Sequence, residues 1–298
     1  MSVTMTGTPD GRIAACKRIR ASAADALAHA LREALVGAGP VTERGLRDAW
    51  LRWLREDRSI HAEGWYLPPA HGMGVLVARD DDTSRVHHTT LRTTVASDDV
   101  MLDREHGLFY AYCSPVDRAS GVIGDFGMTM YLGEDPAIRS HIADVLDIDR
   151  RVAAHARPGV PLAALAIFAR EEMQRRGLAS PIASSTDPAG TNIGHSIPGI
   201  HDPWAPADAP LDPGAEWTTV CDAISRRRIF VSEAEELELR PGMAITVEPR
   251  PVAPGLPMVS FHTVVAVHED GMPEWITGFD PVFEAAGMST WVLVAELQ

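Results

Sequence analysis

Cysteine is scarce in this 298-residue chain: three residues, Cys16, Cys113 and Cys221, lie far apart and form no CxxC pair. That spacing argues against a thiolate metal knuckle and a disulfide scaffold. Long apolar runs are missing as well. None approaches the ~20 residues of a membrane helix, and the stretch from Met1 to Arg20 lacks the apolar core of a signal peptide. The chain is therefore expected to be soluble and cytoplasmic. Basic residues are outnumbered, with 27 Lys and Arg against 41 Asp and Glu, for a formal net charge of -14. An acidic surface repels nucleic-acid phosphates and anionic lipid, so neither is expected as a partner. Aromatic residues make up only 6%, but 45% of the chain is hydrophobic, enough for a core in a chain of this length. No repeat, low-complexity tract or Gly/Ser linker divides it. One domain over residues 1–298 is expected, with 1–16 as a flexible N-terminus.

Periodicity outlines the elements. Ile19, Ala23, Leu27, Leu31 and Leu35 recur at helical spacing within residues 17–37, and Gly37 and Pro40 stop that helix. Thr42 caps a second helix with Leu46, Trp50, Trp53 and Leu54 on one face. Val75 to Val77 and Leu108 to Tyr112 read as strands, and Gly121 to Gly127 as a short strand delivering an acid at its end. Helical patterns return over 137–156 and 162–176. Residues 180–214, rich in Gly, Pro, Asp and His, read as a long loop system or a flexible insert. Strand patterns follow at Met243 to Pro249, Val259 to Val267 and Trp291 to Glu296.

Titratable groups sit at strand ends or in Gly/Pro-rich turns: Asp125 in GDFG, His195 and His201 in NIGHSIPGIHD, Glu248 in MAITVEP and His262 in SFHTVV. Inside otherwise apolar strands such groups cost several kcal/mol unless they are paired or metal-bound. Each has an ordinary reading as a turn residue, a loop donor or a strand-end charge. Their joint order carries the argument.

That order resembles the pita-bread family of methionine aminopeptidases, aminopeptidase P, prolidase and creatinase. VTERGLRDAWLRWL, VARDDDTSRVHH, GDFGMTMYLG, TNIGHSIPGIHD, LELRPGMAITVEP and VVAVHEDG follow one another as the corresponding family segments do. The resemblance implies an α+β pita-bread fold, in which pseudo-twofold α/β halves wrap a curved antiparallel sheet with helices outside. It implies that Asp125 stands on the first metal Asp, His195 on the metal His and Glu248 on the first metal Glu. Two positions depart. Ungapped counting puts Pro136 where the second, bridging Asp belongs, with Asp135 one residue short. The final Glu falls on His262, or on Phe261 in a creatinase-like register.

Relatives hold two divalent ions, and paired metals clamp a water and polarise a carbonyl. Without bridging carboxylates, two dications ~3.5–4 Å apart would repel with nothing between them. Asp125, His195, Glu248 and His262 instead suit one Fe, Mn or Zn ion with open positions. The expected activity is metallopeptidase-like hydrolysis of an amide- or peptide-like C–N bond in a small amino-acid-derived or short peptide-like substrate. Glu248 and His195 would serve catalysis as well, and His201 or His87 would steady the oxyanion. Alternatives are a creatinase-like metal-independent hydrolase, a repurposed mononuclear iron enzyme and a non-catalytic binding module. A homodimer is left open. His87 and His88 fall near the segment where relatives present a substrate-facing His, with two surface histidines on a strand as the equal alternative. The His201-Asp202 pair falls where the trailing His of relatives orients a substrate carbonyl. Arg226 to Arg228 read as a solvated basic run in preference to a carboxylate contact.

Overall fold

The structure, a computed structural model, describes residues 8–86, 91, 93–179, 192–200 and 215–288. Helix α1 spans Pro9–Val36 and α2 spans Glu43–Leu54. Strands β1 (Ile60–His61), β2 (Met73–Arg79), β3 (Gly107–Cys113), β4 (Val116–Asp117) and β5 (Phe126–Tyr131) follow. Helices α3 (Pro136–His155), α4 (Leu162–Arg175) and α5 (Trp217–Arg227) come next. Strands β6 (Ala244–Val247), β7 (Thr263–Val267) and β8 (Pro273–Ile276) and helix α6 (Asp280–Ala285) complete the described order.

Helix α1 begins at Pro9, not at Lys17, so residues 9–16 of the expected flexible stretch 1–16 are helical. Thr8 caps it, its side chain accepting from the Gly11 amide, and Pro9 sits in the first turn where a missing N–H costs nothing. Ile13 and Cys16 are buried in this added part. Alanines at 23, 24, 28 and 30 keep the buried face of α1 flat, so α2 packs closely on it through Leu46, Trp50 and Leu54. Arg20 stands fully buried in the middle of that apolar face. The second helix starts at Thr42 as its cap residue predicts, with the Thr42 hydroxyl accepting from Gly45 N at 3.0 Å. Its first residue, Glu43, is buried and accepts from the Val77 and Ser97 amides and from Arg85, tying α2 to β2.

The sheets are antiparallel and come in two sets. In the first half β2-β3-β5 pair in that order, and in the second β6-β7-β8. The two meet at a seam where β5 runs alongside the residues before β7. Met128 bridges Phe261, Thr129 N donates to Ser260 O at 3.0 Å, and His262 N donates to Gly127 O at 2.8 Å. One large buried cluster joins α1, α2 and the first sheet to α6. A second lies between α3, α4 and β6-β7. The α+β class, the paired halves, the antiparallel sheets and the outer helices match the expectation. No helix of the described residues is long and apolar enough to cross a membrane.

Three local expectations differ. Asp125 stands at the head of β5 instead of the end of a strand, because Val122 to Gly124 turn back on Pro115 and Val116. The strand expected over 259–267 is shorter, beginning at Thr263. The strand expected at Trp291 to Glu296 lies outside the described residues.

Candidate metal centre

The site forms at the seam. Asp125 enters from the head of β5 with φ +33°. His195 lies on an extended segment between β6 and residues 229–231. Ser196 N donates to Ile229 O on one side, and Thr246 N to His195 O on the other. Gly194 allows this close approach: at φ +150° its hypothetical Cβ would fall 2.1 Å from Thr246 O. Glu248 follows directly on β6, and His262 directly precedes β7. Gly127, opposite His262 across the seam, leaves room for its ring, since a Cβ there would sit 2.7 Å from His262 Cδ2.

These four side chains are buried and touch one another. His195 Nε2 lies 2.9 Å from Asp125 Oδ2 and 3.8 Å from Glu248 Oε1. One ligand atom each from Asp125, His195 and Glu248 falls within 4.8 Å of the others. His262 stands beside that set, its Nε2 3.0 Å from Glu248 Oε2 and its Nδ1 3.5 Å from Asp125 Oδ1. Its Nε2 is also 2.7 Å from the Tyr110 hydroxyl. The two sequence registers for this strand thus separate. His262 faces the site, while Phe261 packs away from it against Phe279 and Phe283.

The His195 ring has its tautomer fixed from behind. Nδ1 lies 2.9 Å from the Ser196 carbonyl, which can only accept, so Nδ1 carries a proton. Nε2 then faces two carboxylate oxygens either as an imidazolium N–H or as a bare lone pair. In the second case three lone-pair atoms converge, an arrangement that suits a bound cation. A backbone carbonyl on the far nitrogen is the usual support of a metal-ligating histidine. One imidazole nitrogen and two carboxylate oxygens, all buried, make a donor set that can hold a divalent metal ion.

Charges are balanced from the protein side as well. Burial favours a neutral carboxyl at Asp125, but hydrogen bonds and charge from His195 and His262 override it and hold Asp125 below its ordinary range. Glu248 is likewise held well below, burial being outweighed by the charge of His262 and Arg250 and the hydrogen bond of His262. Burial would lower the His262 pKa, yet Glu248 and Asp125 raise it. Arg250 Nη2 donates to Glu248 Oε2 at 2.8 Å. Arg228 lines the same cavity with its guanidinium 4.7 Å from the Trp65 ring and 5.3 Å from Phe230. The cavity between these groups measures ≈ 20 Å³, about the room of one small occupant.

The expected second-ligand position is not here. Asp135 caps α3, its carboxylate accepting from Ala137 N at 2.7 Å, and Pro136 is the first residue of that helix. The strand that pairs with β5 is β3; its Tyr112 lines the cavity and its Tyr110 hydroxyl meets His262 Nε2. Burial pushes both phenols well above their ordinary pKa, so they stay protonated. Arg228, read from sequence as solvated, is drawn into the cavity wall. His87, His88, His201 and Asp202 lie outside the described residues. Sequence reasoning missed Tyr110, Tyr112 and Arg250. The alternation of LFYAYC puts both tyrosines on one strand face, and Arg250 sits two residues after Glu248; these were the available signals.

Fold and site together define a pita-bread α+β protein with a buried, metal-type residue triad at the seam of its two halves. A family model described as metallopeptidase family M24 matches residues 12–269, and the chain belongs to that family. Among solved structures it is similar to an X-Pro aminopeptidase from Thermotoga maritima (TM-score 0.58, 15% identity, 90% of this chain and 61% of that one). A prolidase from Pyrococcus horikoshii gives TM-score 0.56 at 18% identity, over 87% of this chain and 61% of that one. A methionine aminopeptidase from Rickettsia prowazekii gives TM-score 0.55 at 17% identity, over 87% of this chain and 95% of that one. The chain thus spans about six-tenths of the first two structures. No curated protein sequence matches it significantly.

Proposed function

We propose that this chain hydrolyses a C–N bond of a small, carboxylate-bearing amino-acid derivative, with one divalent ion, Fe, Mn or Zn, held by Asp125, His195 and Glu248. The observation that carries the reading is the convergence of His195 Nε2 on two buried carboxylate oxygens while its Nδ1 is committed to Ser196 O. Such an ion supplies a Lewis acid for the carbonyl and lowers the pKa of a bound water. The remaining work falls to the chain. Arg228, whose Nε has no hydrogen-bond partner among the described residues, offers its guanidinium to a substrate carboxylate. Trp65 and Phe230 hold that guanidinium in place by cation–π contact. Tyr112 presents a protonated hydroxyl at the cavity wall, and His201 and His87 are proposed to steady the oxyanion.

The test is elemental analysis and native mass spectrometry of protein purified without added metal, followed by turnover assays. One ion per chain, lost in His195→Ala, is expected, with weak or absent cleavage of Met-Ala and Xaa-Pro peptides and turnover of N-acyl or amidino amino acids. Two ions at the centre, or robust dipeptide cleavage at ordinary enzyme rates of ~1–10³ s⁻¹, would refute it. A creatinase-like acid/base mechanism without metal has one observation in its favour: Arg250 and His262 already pair with Glu248. Activity that survives exhaustive chelation would select that reading.

A further inference from the structure

The two oxygens of Glu248 are used differently. Oε1 looks toward His195, accepting from the Thr246 hydroxyl at 3.2 Å. Oε2 is occupied: Arg250 Nη2 donates to it at 2.8 Å and His262 Nε2 lies 3.0 Å away. Arg250 is only 4% exposed. Its guanidinium does not deprotonate in proteins, so it places a permanent positive charge against the outer oxygen of a metal-type carboxylate. A second divalent ion on Glu248 would need Oε2 as a donor at ~2.0–2.2 Å. The guanidinium stands in that direction, inside a buried site where like charges are poorly screened. Arg250 is also more than a counter-ion made to satisfy Glu248. Its Nε has no hydrogen-bond partner among the described residues, and it lines the cavity, facing the site and not a structural acceptor.

We infer that Arg250 is a fixed protein cation standing on the side of Glu248 where a second metal would bind, and that it limits the centre to one ion and weakens the hold on that ion. The inference rests on the single-ion reading above. Arg250→Gln is the informative change, because glutamine can still donate to Glu248 Oε2 but carries no charge. Mn²⁺ is titrated into the whole metal-stripped chain by calorimetry, and stoichiometry is read by native mass spectrometry in excess Mn²⁺. Wild type and Arg250→Lys are expected to bind one ion with the same Kd within about threefold. Arg250→Gln is expected to bind that ion at least tenfold more tightly and to accumulate a second in excess Mn²⁺. An unchanged Kd and stoichiometry in folded Arg250→Gln would overturn the inference while leaving the single-ion reading intact. Two ions at the centre of the wild type would overturn it without any variant, so a variant that fails to fold does not protect it. No Mn²⁺ bound by wild type or variant would remove the single-ion reading and the inference with it.

Discussion

Replacement of Arg20 by Met should be among the most damaging single changes in the molecule, although Arg20 touches no candidate ligand side chain by hydrogen bond. Its guanidinium is fully buried and donates to four backbone carbonyls: Gly124 O at 3.2 Å, Asp125 O at 2.5 Å, His262 O at 2.5 Å and Thr277 O at 2.7 Å. It lies between the rings of Phe126 and Phe279, 5.7 Å from each centroid. A hydrogen bond to a charged group is worth ~1.5–3 kcal/mol, and each carbonyl left buried without a donor costs ~1–3 kcal/mol. Water reaching some of these carbonyls would recover part of that. The net loss should be about 3–5 kcal/mol, the range found when one partner of a buried polar set is removed. At ~2–4 °C per kcal/mol for a chain of this size, the melting temperature should fall by roughly 6–20 °C. Urea denaturation and thermal melts followed by circular dichroism measure both. Arg20→Lys tests the geometry separately from the charge. One ammonium cannot reach carbonyls on both sides of the seam, so lysine should recover less than half of the loss. A Met variant within about 1 kcal/mol of wild type, or a Lys variant equal to it, would refute the reasoning.

Gly127→Ala should push the His262 ring out of its place, because the new methyl would meet it at 2.7 Å; a shifted His262 imidazole resonance and a loss of ~1–3 kcal/mol are expected, and unchanged spectra would contradict the packing. Asp135→Ala should cost ~0.5–2 kcal/mol as a lost helix cap and leave metal content untouched; a fall in bound metal would return Asp135 to the ligand set. His268 bridges Asp10 Oδ1 (2.9 Å) and Glu274 Oε2 (3.0 Å). Burial opposes its charge, but hydrogen bonds to those two carboxylates raise its pKa above the ordinary 6.5. A raised folded pKa means this tie is complete below about pH 6.5 and is lost as pH climbs through the folded value. Proton NMR should show a His268 midpoint above 6.5 that drops in Asp10→Asn; a midpoint at or below 6.5 in wild type would count against the tie.

Much of the fold was readable because its signals are local. Thr42 before an amphipathic run, Gly37 and Pro40 after another, and the alternation around Tyr110 each act within a few residues. The four candidate ligands, Asp125, His195, Glu248 and His262, stood out because acids and imidazoles inside apolar strands demand an explanation. What could not be read depends on contacts between distant segments. Counting forward from Asp125 led to Pro136, but the chain enters α3 there, and the strand that pairs with β5 precedes it. Tyr110 and Tyr112 look like core residues until β3 is paired with β5. Arg20 looks like a surface charge on a helix until the carbonyls of Asp125 and His262 are brought to it from across the molecule. Arg228 belongs to a run of three arginines whose sequence does not say which one turns inward.

The placement of the site at the seam has a further consequence. Asp125 comes from the first half, while His195, Glu248 and His262 come from the second, and the backbone bonds Gly127–His262 and Thr129–Ser260 stitch the same line. Whatever occupies the site therefore acts as a crosslink between the halves. By mass action an occupant present at a hundred times its Kd stabilises the folded state by ~2.7 kcal/mol, and that gain falls on the junction and not evenly over the chain. Amide exchange at Gly127, Thr129 and His262 would then register occupancy before any other part of the molecule, so the seam itself serves as a reporter of what the protein binds.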